Sequence, residues 1–300
     1  MPEWTIPIYV PCYNKVLQFL PYTNHHHEHV IKFCESDDKI GLVRYFKELI
    51  PNLCIDYDIN ITTLPVIDQV MILLRLRTTC VGHEVKLVIP KEKNEDESEE
   101  DVESPQTETD DSDPDQDKVT GDTYNVSLIN IQKNIHENYH EPIIVAVDNN
   151  VEIELHYPTN WSTPKHMDYI KRISVNNNTL INNGSQHHQI STILDNLPVR
   201  THADLAKVHN ILSGSINNMM YIQTHDDSDN IYLDHEYYID ILTTLFSDGL
   251  SNFIELMYVC VKMMNMTLSD ARGITPLDTE MYYKCFEKEN EERQKSKKSN

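Results

Sequence analysis

The stretch Leu64–Ile89 constrains the fold more than any other part of the chain. Pro65 suits the first turn of a helix, because its missing N–H costs nothing there and its φ is already helical. Apolar residues then occur on nearly every face, which predicts a helix that is buried on several sides. Gly82 follows, where glycine ends a helix at little cost, and His83–Ile89 alternate with the period of a strand. We expect a buried helix that leads directly into a strand.

Three charged residues lie within this apolar helix. Asp68 falls in the first turn, where a carboxylate meets the positive end of the helix dipole. Arg75 and Arg77 interrupt an otherwise apolar surface, so each must reach water or a carboxylate. We expect structural ion pairs for the two arginines, with contact to a partner protein as the alternative.

Strand-like runs lie at both ends of the region before residue 160, with helical runs between them. The predicted strands cover residues 4–10, 15–20, 83–89, 124–131, 142–147 and 151–157, and the other predicted helices cover about 25–35 and 38–50. Pro11–Asn14 and Asp148–Asn150 are typical of tight turns between antiparallel strands. Residues 1–90 and 121–160 are therefore predicted to form an α+β domain of short strands with three helices.

An acidic segment interrupts this domain. Residues 92–117 hold fourteen carboxylates against Lys93 and almost no apolar side chain. Such a composition cannot offset the entropy lost on ordering, so residues 91–120 are predicted to be a disordered insert. There are two alternatives to a solvated loop. The segment could bind a basic partner, or its negative charge could repel DNA.

The remaining residues, 161–300, are predicted to be mostly helical and to end in a frayed, charged tail. The predicted helices cover about 167–175, 203–212, 235–246, 251–264 and a last one from Pro276, whereas Met219–Thr224 fits either a strand or a helix. Thr275 offers a cap to that last helix, with proline at its first position and Asp278 at its third. The whole chain is thus predicted to be α+β with a mostly helical C-terminal half.

Composition excludes several classes of function. The 300 residues carry a net charge of −23, so the chain lacks the basic surface that phosphate binding needs and we expect no nucleic-acid partner. No apolar run is long enough for a membrane span, and the first residues do not resemble a signal peptide. The six cysteines include no close pair, which predicts reduced thiols in a reducing cytoplasm.

His136-Glu137-Asn138-Tyr139-His140 is a literal match to the zinc-peptidase pattern H-E-x-x-H. That chemistry needs both histidines on one helix face with the glutamate as general base. Pro142 follows closely and strands are predicted on both sides, which argues against a long helix. A zinc-dependent hydrolase at His136, Glu137 and His140 is retained as the alternative function.

Two further clusters resemble metal sites less closely. His25–His27 with His29 places two imidazoles one helical turn apart, but a polar helix start explains them equally simply. Asp226–Asn230 fails as an EF-hand loop, because Ile231 stands where glycine is needed and Tyr237 where the bidentate glutamate belongs. No phosphate-binding glycine loop or nucleophile elbow is present, so we predict no catalytic residue, no cofactor and no metal site.

Leu64–Glu84 also carries a resemblance to a known family. A helix that begins Leu-Pro, has aspartate in its first turn and runs into Leu-Arg-Leu-Arg-Thr-Thr-Cys-Val-Gly-His-Glu resembles the baseplate hub protein family of T-even-type bacteriophages. Lys15–Pro21, Phe33–Asp38, Ile40–Ile50 and the strand that ends at His156-Tyr157-Pro158-Thr159 are similar to the same family, in the same order. The resemblance covers about residues 5–160, interrupted by the acidic segment.

The resemblance implies a non-enzymatic structural or assembly protein of a contractile-tail baseplate hub, found in the virion or in the host cytoplasm during assembly. It implies binding to other hub proteins or to the tape-measure protein, with the oligomeric state left open. Its motif residues, structural or interfacial, are Asp68, Arg75, Arg77, Gly82, Glu84 and Pro158. A transient tail-assembly chaperone that is absent from the mature virion is the alternative within the same setting.

Overall fold

The computed structural model describes most of the chain. The described residues are 4–56, 59–90, 121–147, 150–161, 165–176, 178–182, 186–223, 230–232, 242–243, 245–246 and 249–298. The predicted acidic insert, the residues Asp226–Asp229 and most of the helix predicted at 235–246 lie outside these ranges. They stay predictions.

The N-terminus forms the predicted hairpin. Strands β1 (Ile6–Val10) and β2 (Lys15–Phe19) pair in antiparallel register. Pro11–Tyr13 form one turn of 3-10 helix between them. Asn14 then turns the chain with a φ of +49°, a left-handed conformation that asparagine tolerates better than most residues. Alternate residues of β1 are buried, so one face of the hairpin covers the core.

The next two helices are capped by side chains near the predicted positions. Helix α1 (Asn24–Glu35) begins after Thr23, whose N–H donates to Nδ1 of His26 over 3.1 Å. Helix α2 (Lys39–Leu53) begins after Asp38, whose carboxylate accepts the N–H of Gly41 over 2.9 Å. Both predicted helices are confirmed, although α2 continues for one turn beyond its predicted end.

Helix α3 (Val66–Cys80) is the centre of the molecule. Every residue of α3 is buried except Arg75, Thr78 and Thr79. The helix packs against β1, α2 and the last helix of the chain. The helix predicted to be buried on several sides is confirmed, and its hydrophobic burial is a main source of stability.

Helix α3 leads into a hairpin and a further helix. Strands β3 (Glu84–Pro90) and β4 (Gly121–Ser127) pair antiparallel on either side of the acidic segment. Helix α4 (Leu128–Asn138) follows at once. The strand predicted to run to Ile131 is therefore wrong in its last four residues. Leu128, Ile131, Gln132 and Ile135 are spaced as one helical face, and that face is buried where α4 packs against α3.

A four-stranded antiparallel sheet crosses residue 160. Its strands, in sheet order, are β5 (Ile143–Ala146), β6 (Val151–Leu155), β7 (Ile170–Val175) and β8 (Asn178–Ile181). The helix predicted at 167–175 is wrong, since only His166–Tyr169 form a single 3-10 turn before β7. Pairing with β7 satisfies the main-chain groups on the open edge of β6, and this tertiary gain overrides the local helical pattern. The domain division predicted at residue 160 stays a prediction.

The rest of the described chain is mostly helical, and the predicted α+β fold is confirmed. Its elements are α5 (His187–Asp195), α6 (Val199–Met219), the paired strands β9 (Tyr221–Gln223) and β10 (Asn230–Tyr232), α7 (Leu250–Lys262), α8 (Leu268–Gly273) and α9 (Pro276–Lys298). Helix α6 contains the predicted helix 203–212 and is about twice as long. Helix α9 begins at Pro276 as predicted, with Oγ1 of Thr275 accepting the N–H of Asp278 over 3.1 Å.

Two apolar cores hold these elements together. The main core runs through the chain from Ile6 to Phe246 and surrounds α3. A second, smaller core joins α1 to the C-terminal helices through Ile31, Phe253, Met257, Cys260 and Ala271. Among the described residues, no helix combines the length and the apolar character that crossing a membrane requires.

Candidate interaction site

The start of α3 is hydrogen-bonded to the segment that follows β6, at Pro158. Pro65 is the cap residue of α3, and the N–H of Val66 donates to the carbonyl of Pro158 over 2.8 Å. One turn later, Gln69 donates from Nε2 to the carbonyl of Leu64 over 2.9 Å and accepts from Nε1 of Trp161 over 3.0 Å. These contacts fix the register between α3 and the chain that leaves β6.

The carboxylate of Asp68 lies at this junction and is completely buried. Oδ1 accepts the N–H of Cys12 over 3.0 Å, which ties the hairpin to α3. Oδ2 accepts the hydroxyl of Tyr139 over 2.8 Å, which ties the end of α4 to the same turn. The oxygen of Tyr139 lies in turn 3.2 Å from Nε2 of His156. Asp68, Tyr139 and His156 form a connected chain, which we call the buried relay.

Burial controls the protonation states in the buried relay. It raises the pKa of Asp68 to about 6, although its hydrogen bonds from Cys12 and Tyr139 act in the opposite direction. Burial also lowers the pKa of His156 to about 4, so this imidazole is neutral at pH 7. Because Tyr139 donates its only proton to Asp68, Nε2 of His156 must carry hydrogen and donate to the tyrosine oxygen. Nδ1 of His156 is consequently a hydrogen-bond acceptor.

A cleft of about 790 Å³ opens beside the buried relay and includes His156 in its wall. Its volume falls within the range of about 300–1,000 Å³ that is typical of binding sites in proteins. Buried residues of α3 and of the sheet line it together with exposed side chains, among them Lys47, Lys171 and His187. The start of α3 therefore forms part of a surface on which another molecule can bind.

The end of α3 is stabilised by Arg77, which is almost fully buried. Its Nε donates to the carbonyl of Leu245 over 2.5 Å, and its guanidinium carbon lies 5.7 Å from the ring centre of Phe246. Gly82 ends the helix with a φ of +147° and donates its N–H to the carbonyl of Arg77 over 3.0 Å. Arg77 thus connects α3 to main-chain oxygens and to an aromatic ring.

Asp68, Arg77 and Pro158 are buried and Gly82 is partly buried, whereas Arg75 and Glu84 are exposed. Glu84 and Arg77 both border a second, smaller cleft of about 320 Å³ between α3 and the C-terminal helices. The buried polar residue Asn24 also lines this cleft. The motif residues therefore divide between the two ends of α3 and do not form one constellation.

The helix α4 carries only part of the H-E-x-x-H pattern. His136 and Glu137 lie in its last turn, whereas His140 lies beyond its end at Asn138. The ring of His136 contacts that of Tyr9, with 5.4 Å between their centres. The two imidazoles do not share a helix face, which is the arrangement that the zinc hydrolase needs. Within the H-E-x-x-H pattern, it is Tyr139 that contacts the buried carboxylate of Asp68.

The histidines at the start of α1 have structural contacts. His26 caps α1, and burial lowers the pKa of its imidazole to about 4. The rings of His25 and His29 contact each other, with 4.8 Å between their centres. Within the described ranges, no three histidine, cysteine, aspartate or glutamate side chains are placed to hold a metal ion.

The C-terminal helices are bound to α1 by a polar clamp around Asn24. The side-chain amide of Asn24 donates to the carbonyl of Ala271 over 2.8 Å and to Oγ1 of Thr279 over 2.6 Å. Arg272 makes a two-pronged pair with Glu28, at 3.0 and 3.1 Å. These contacts join residues that are more than 240 positions apart in sequence.

Outside this clamp, the C-terminal helices expose apolar side chains. Ile254 and Tyr258 are 57% and 58% exposed and lie one turn apart on α7. Met281 and Tyr282 are 58% and 51% exposed on α9. We call these four residues the apolar surface. The other face of α7 is buried in the second core, so this helix is apolar on two sides.

The buried relay cannot be recognised from the sequence. The sequence singles out Asp68 by its place in α3, but its partners Cys12 and Tyr139, and His156 beyond Tyr139, come from three distant segments. Two motifs contain its residues: Tyr139 is inside the H-E-x-x-H pattern and His156 precedes Tyr157-Pro158.

Comparison with known proteins finds one family, which matches the part of the chain that contains the buried relay. A family model described as T4 bacteriophage base plate protein matches residues 1–215. The match includes the sheet, the buried relay and the helices α1 to α5, and it extends beyond the resemblance predicted for residues 5–160. No curated protein matches the chain. No solved structure matches it either.

Proposed function

The chain belongs to the T4 bacteriophage base plate protein family, and we propose that it is a non-enzymatic structural or assembly protein of the baseplate hub of a contractile phage tail, acting by protein–protein binding. Family membership makes it a structural protein of a phage baseplate. The hub is the finer part of the proposal and is supported by the Leu64–Glu84 pattern. Other hub proteins or the tape-measure protein are the proposed partners.

The family match is the observation that carries the proposal, because it covers more than half of the chain and all six motif residues. Four of those residues act in packing: Asp68, Arg77, Gly82 and Pro158 hold α3 between the hairpin, the sheet and the C-terminal segment. A rigid platform of this kind serves binding, since binding surfaces on firmly packed elements lose little entropy when a partner docks.

The apolar surface is the proposed contact area for these partners. Exposed apolar residues that occur singly need no explanation, but several on helices that pack together, as α7 and α9 do, often mark an interaction site. Methionine and tyrosine are common at such sites because the first adapts its shape and the second combines an apolar ring with a polar group. Residues 250–298, which carry this surface, lie outside residues 1–215, which the family model matches.

Co-purification of the tagged full chain with tail proteins from infected cells tests the proposal. We expect the double variant Ile254→Asp/Tyr258→Asp to lose most of the hub partner that the unchanged chain retains, by about tenfold or more. The matched control is Val199→Asp, because Val199 is 86% exposed and lies on α6, a helix that does not carry the apolar surface. Equal recovery of tail proteins with both variants would contradict the proposed contact area.

Two further measurements separate the alternatives. Detection of the chain in purified virions identifies a structural subunit, whereas its presence only in infected-cell lysate identifies a transient assembly chaperone. Elemental analysis of the purified protein addresses the zinc hydrolase. Stoichiometric zinc that is lost on His140→Ala would overturn the non-enzymatic assignment.

A further inference from the structure

The cleft beside the buried relay differs in charge from the rest of this acidic molecule. The chain as a whole carries a net charge of −23, yet the charged side chains that line the cleft are Lys47, Lys171 and Asp168, with His156 and His187 beside them. Asp168 is engaged locally, since its carboxylate accepts the N–H of Lys165 over 2.7 Å. The lining therefore carries two ammonium groups against one carboxylate, whereas the chain as a whole is strongly acidic.

The two lysines keep a surplus of positive charge. Lys171 pairs with Glu154 over 2.9 Å, but that single carboxylate also pairs with Arg172. One negative charge is thus shared by two cations. Lys47 is exposed and forms no ion pair with any residue that the structure describes. An incoming carboxylate would meet the ammonium group of Lys47, which has no ion-pair partner among the described residues, and that of Lys171, which shares one carboxylate with Arg172.

We propose that this cleft is a docking site for an acidic peptide segment of a partner protein. The lysines Lys47 and Lys171 receive carboxylate side chains of the segment, and His156 receives a main-chain N–H. The site is separate from the apolar surface on the C-terminal helices, and it belongs to the folded chain whether or not the chain acts in the hub.

His156 supplies the part of the site that a small inorganic anion would not use. It is 5% exposed and lines the cleft, and its Nε2 is engaged with Tyr139. Nδ1 is then an acceptor, and within the described residues it has no hydrogen-bond partner. A buried acceptor without a partner is costly, whereas a peptide N–H would satisfy it. Acceptor and ammonium groups in one cleft match a peptide that carries both N–H donors and carboxylates.

The cleft also has the walls that a peptide needs. Tyr13, Tyr157 and Tyr169 lie along it, with Ile50 and Ile61 among the apolar lining residues. Its volume of about 790 Å³ accommodates several side chains rather than one ion. Because the molecule as a whole repels anions, an acidic peptide that binds it must use a local site.

Fluorescence anisotropy of a labelled poly(Glu-Tyr) peptide with the purified full chain tests the docking site. The expected result is saturable binding that weakens as salt is added, because exposed charge pairs are screened. A matched poly(Gln-Tyr) peptide is expected to bind roughly tenfold more weakly, since it lacks the carboxylates. The double variant Lys47→Gln/Lys171→Gln is expected to weaken binding of the glutamate peptide by a similar factor.

The matched control is Lys133→Gln/Lys207→Gln, which removes the same charge from exposed sites on α4 and α6. This control is expected to bind the glutamate peptide like the unchanged chain. Absence of binding to the unchanged chain, or equal loss in both double variants, overturns the docking site. Displacement of the peptide by an equal concentration of free glutamate also overturns it, in favour of a small-molecule site. None of these outcomes changes the co-purification test of the apolar surface.

Discussion

At the scale of single residues, Asp68 shows how a buried charge is retained. Its carboxylate is removed from water, which is costly, and two hydrogen bonds offset only part of that cost. The raised pKa of Asp68 records the remainder, because burial outweighs the hydrogen bonds. In return, the molecule gains a contact that joins three distant segments at one point of α3.

This balance predicts a pH dependence of stability. The pKa of Asp68 is raised from 3.8 to about 6, so the folded chain holds this proton more tightly than the unfolded chain does. The stabilisation from Asp68 is then complete below about pH 4 and is lost as pH rises through about 6. As pH rises from below 4 to above 6, we expect the free energy of unfolding of the unchanged chain to fall by about 3 kcal/mol relative to that of Asp68→Asn. Urea unfolding of both proteins at several pH values measures the difference.

Two comparisons make this test specific. The lowered pKa of His156 acts in the opposite direction, because its contribution to stability is lost as pH falls towards about 4. Both Asp68→Asn and the unchanged chain contain His156, so their difference isolates Asp68. Asp204→Asn removes an exposed carboxylate on α6 and serves as the matched control. A constant difference between Asp68→Asn and the unchanged chain from pH 4 to 7 would contradict the assigned burial cost.

At the scale of elements, α1 is the point at which the two ends of the chain meet. Asn24 is 1% exposed and donates to α8 and α9, while Ile31 contributes to the second core. The second core is small, so the hydrophobic contribution to this contact is limited. The polar clamp should therefore account for a large part of the free energy that holds the C-terminal helices in place.

Asn24→Ala tests that expectation. The variant leaves the carbonyl of Ala271 without its donor, which costs roughly 1–3 kcal/mol when the group stays buried. Because the loss is local, we expect faster hydrogen exchange in α7, α8 and α9 and little change in α3. Asn196→Ala is the control, since Asn196 donates to Thr192 over 2.7 Å at an exposed helix end. Similar exchange patterns for the two variants would show that the clamp contributes little.

At the scale of the whole molecule, the region before residue 160 shares its sheet and its core with the C-terminal half. Strand β6 pairs with β7, helix α4 packs against α6, and Phe246 belongs to the main core. Turn-forming residues follow β6, and this local pattern predicts a division at residue 160. The contacts between the two sides of residue 160 join residues that are far apart in sequence, so a local pattern does not reveal them.

Fragments of the chain provide a prediction at this scale. A fragment of residues 1–160 lacks β7, α6 and Phe246, so we expect no cooperative thermal unfolding by circular dichroism. A fragment of residues 1–248 keeps the sheet and the main core and lacks only the C-terminal helices. We expect it to unfold cooperatively at a Tm several degrees below that of the full chain, because it loses the second core. Cooperative unfolding of 1–160 would instead support the predicted division.

Local patterns alone determined the buried helix α3, the first hairpin, the caps of α1 and α2 and the start of α9. Each of these depends on residues within a few positions of one another, such as Asp38 with Gly41 or Thr275 with Asp278. They also determined the α+β class and the family, since the Leu64–Glu84 pattern is continuous in sequence.

Only the tertiary structure decided the identity of α4 and β7, and it alone brought Asp68, Tyr139 and His156 together. The local pattern predicted a strand up to Ile131, where α4 has already begun, and a helix over 167–175, where β7 lies. Burial against α3 selects the helix in the first case, and pairing with the edge of β6 selects the strand in the second. The free energies of this burial and this strand pairing depend on partners far along the chain, so a local sequence pattern cannot predict them.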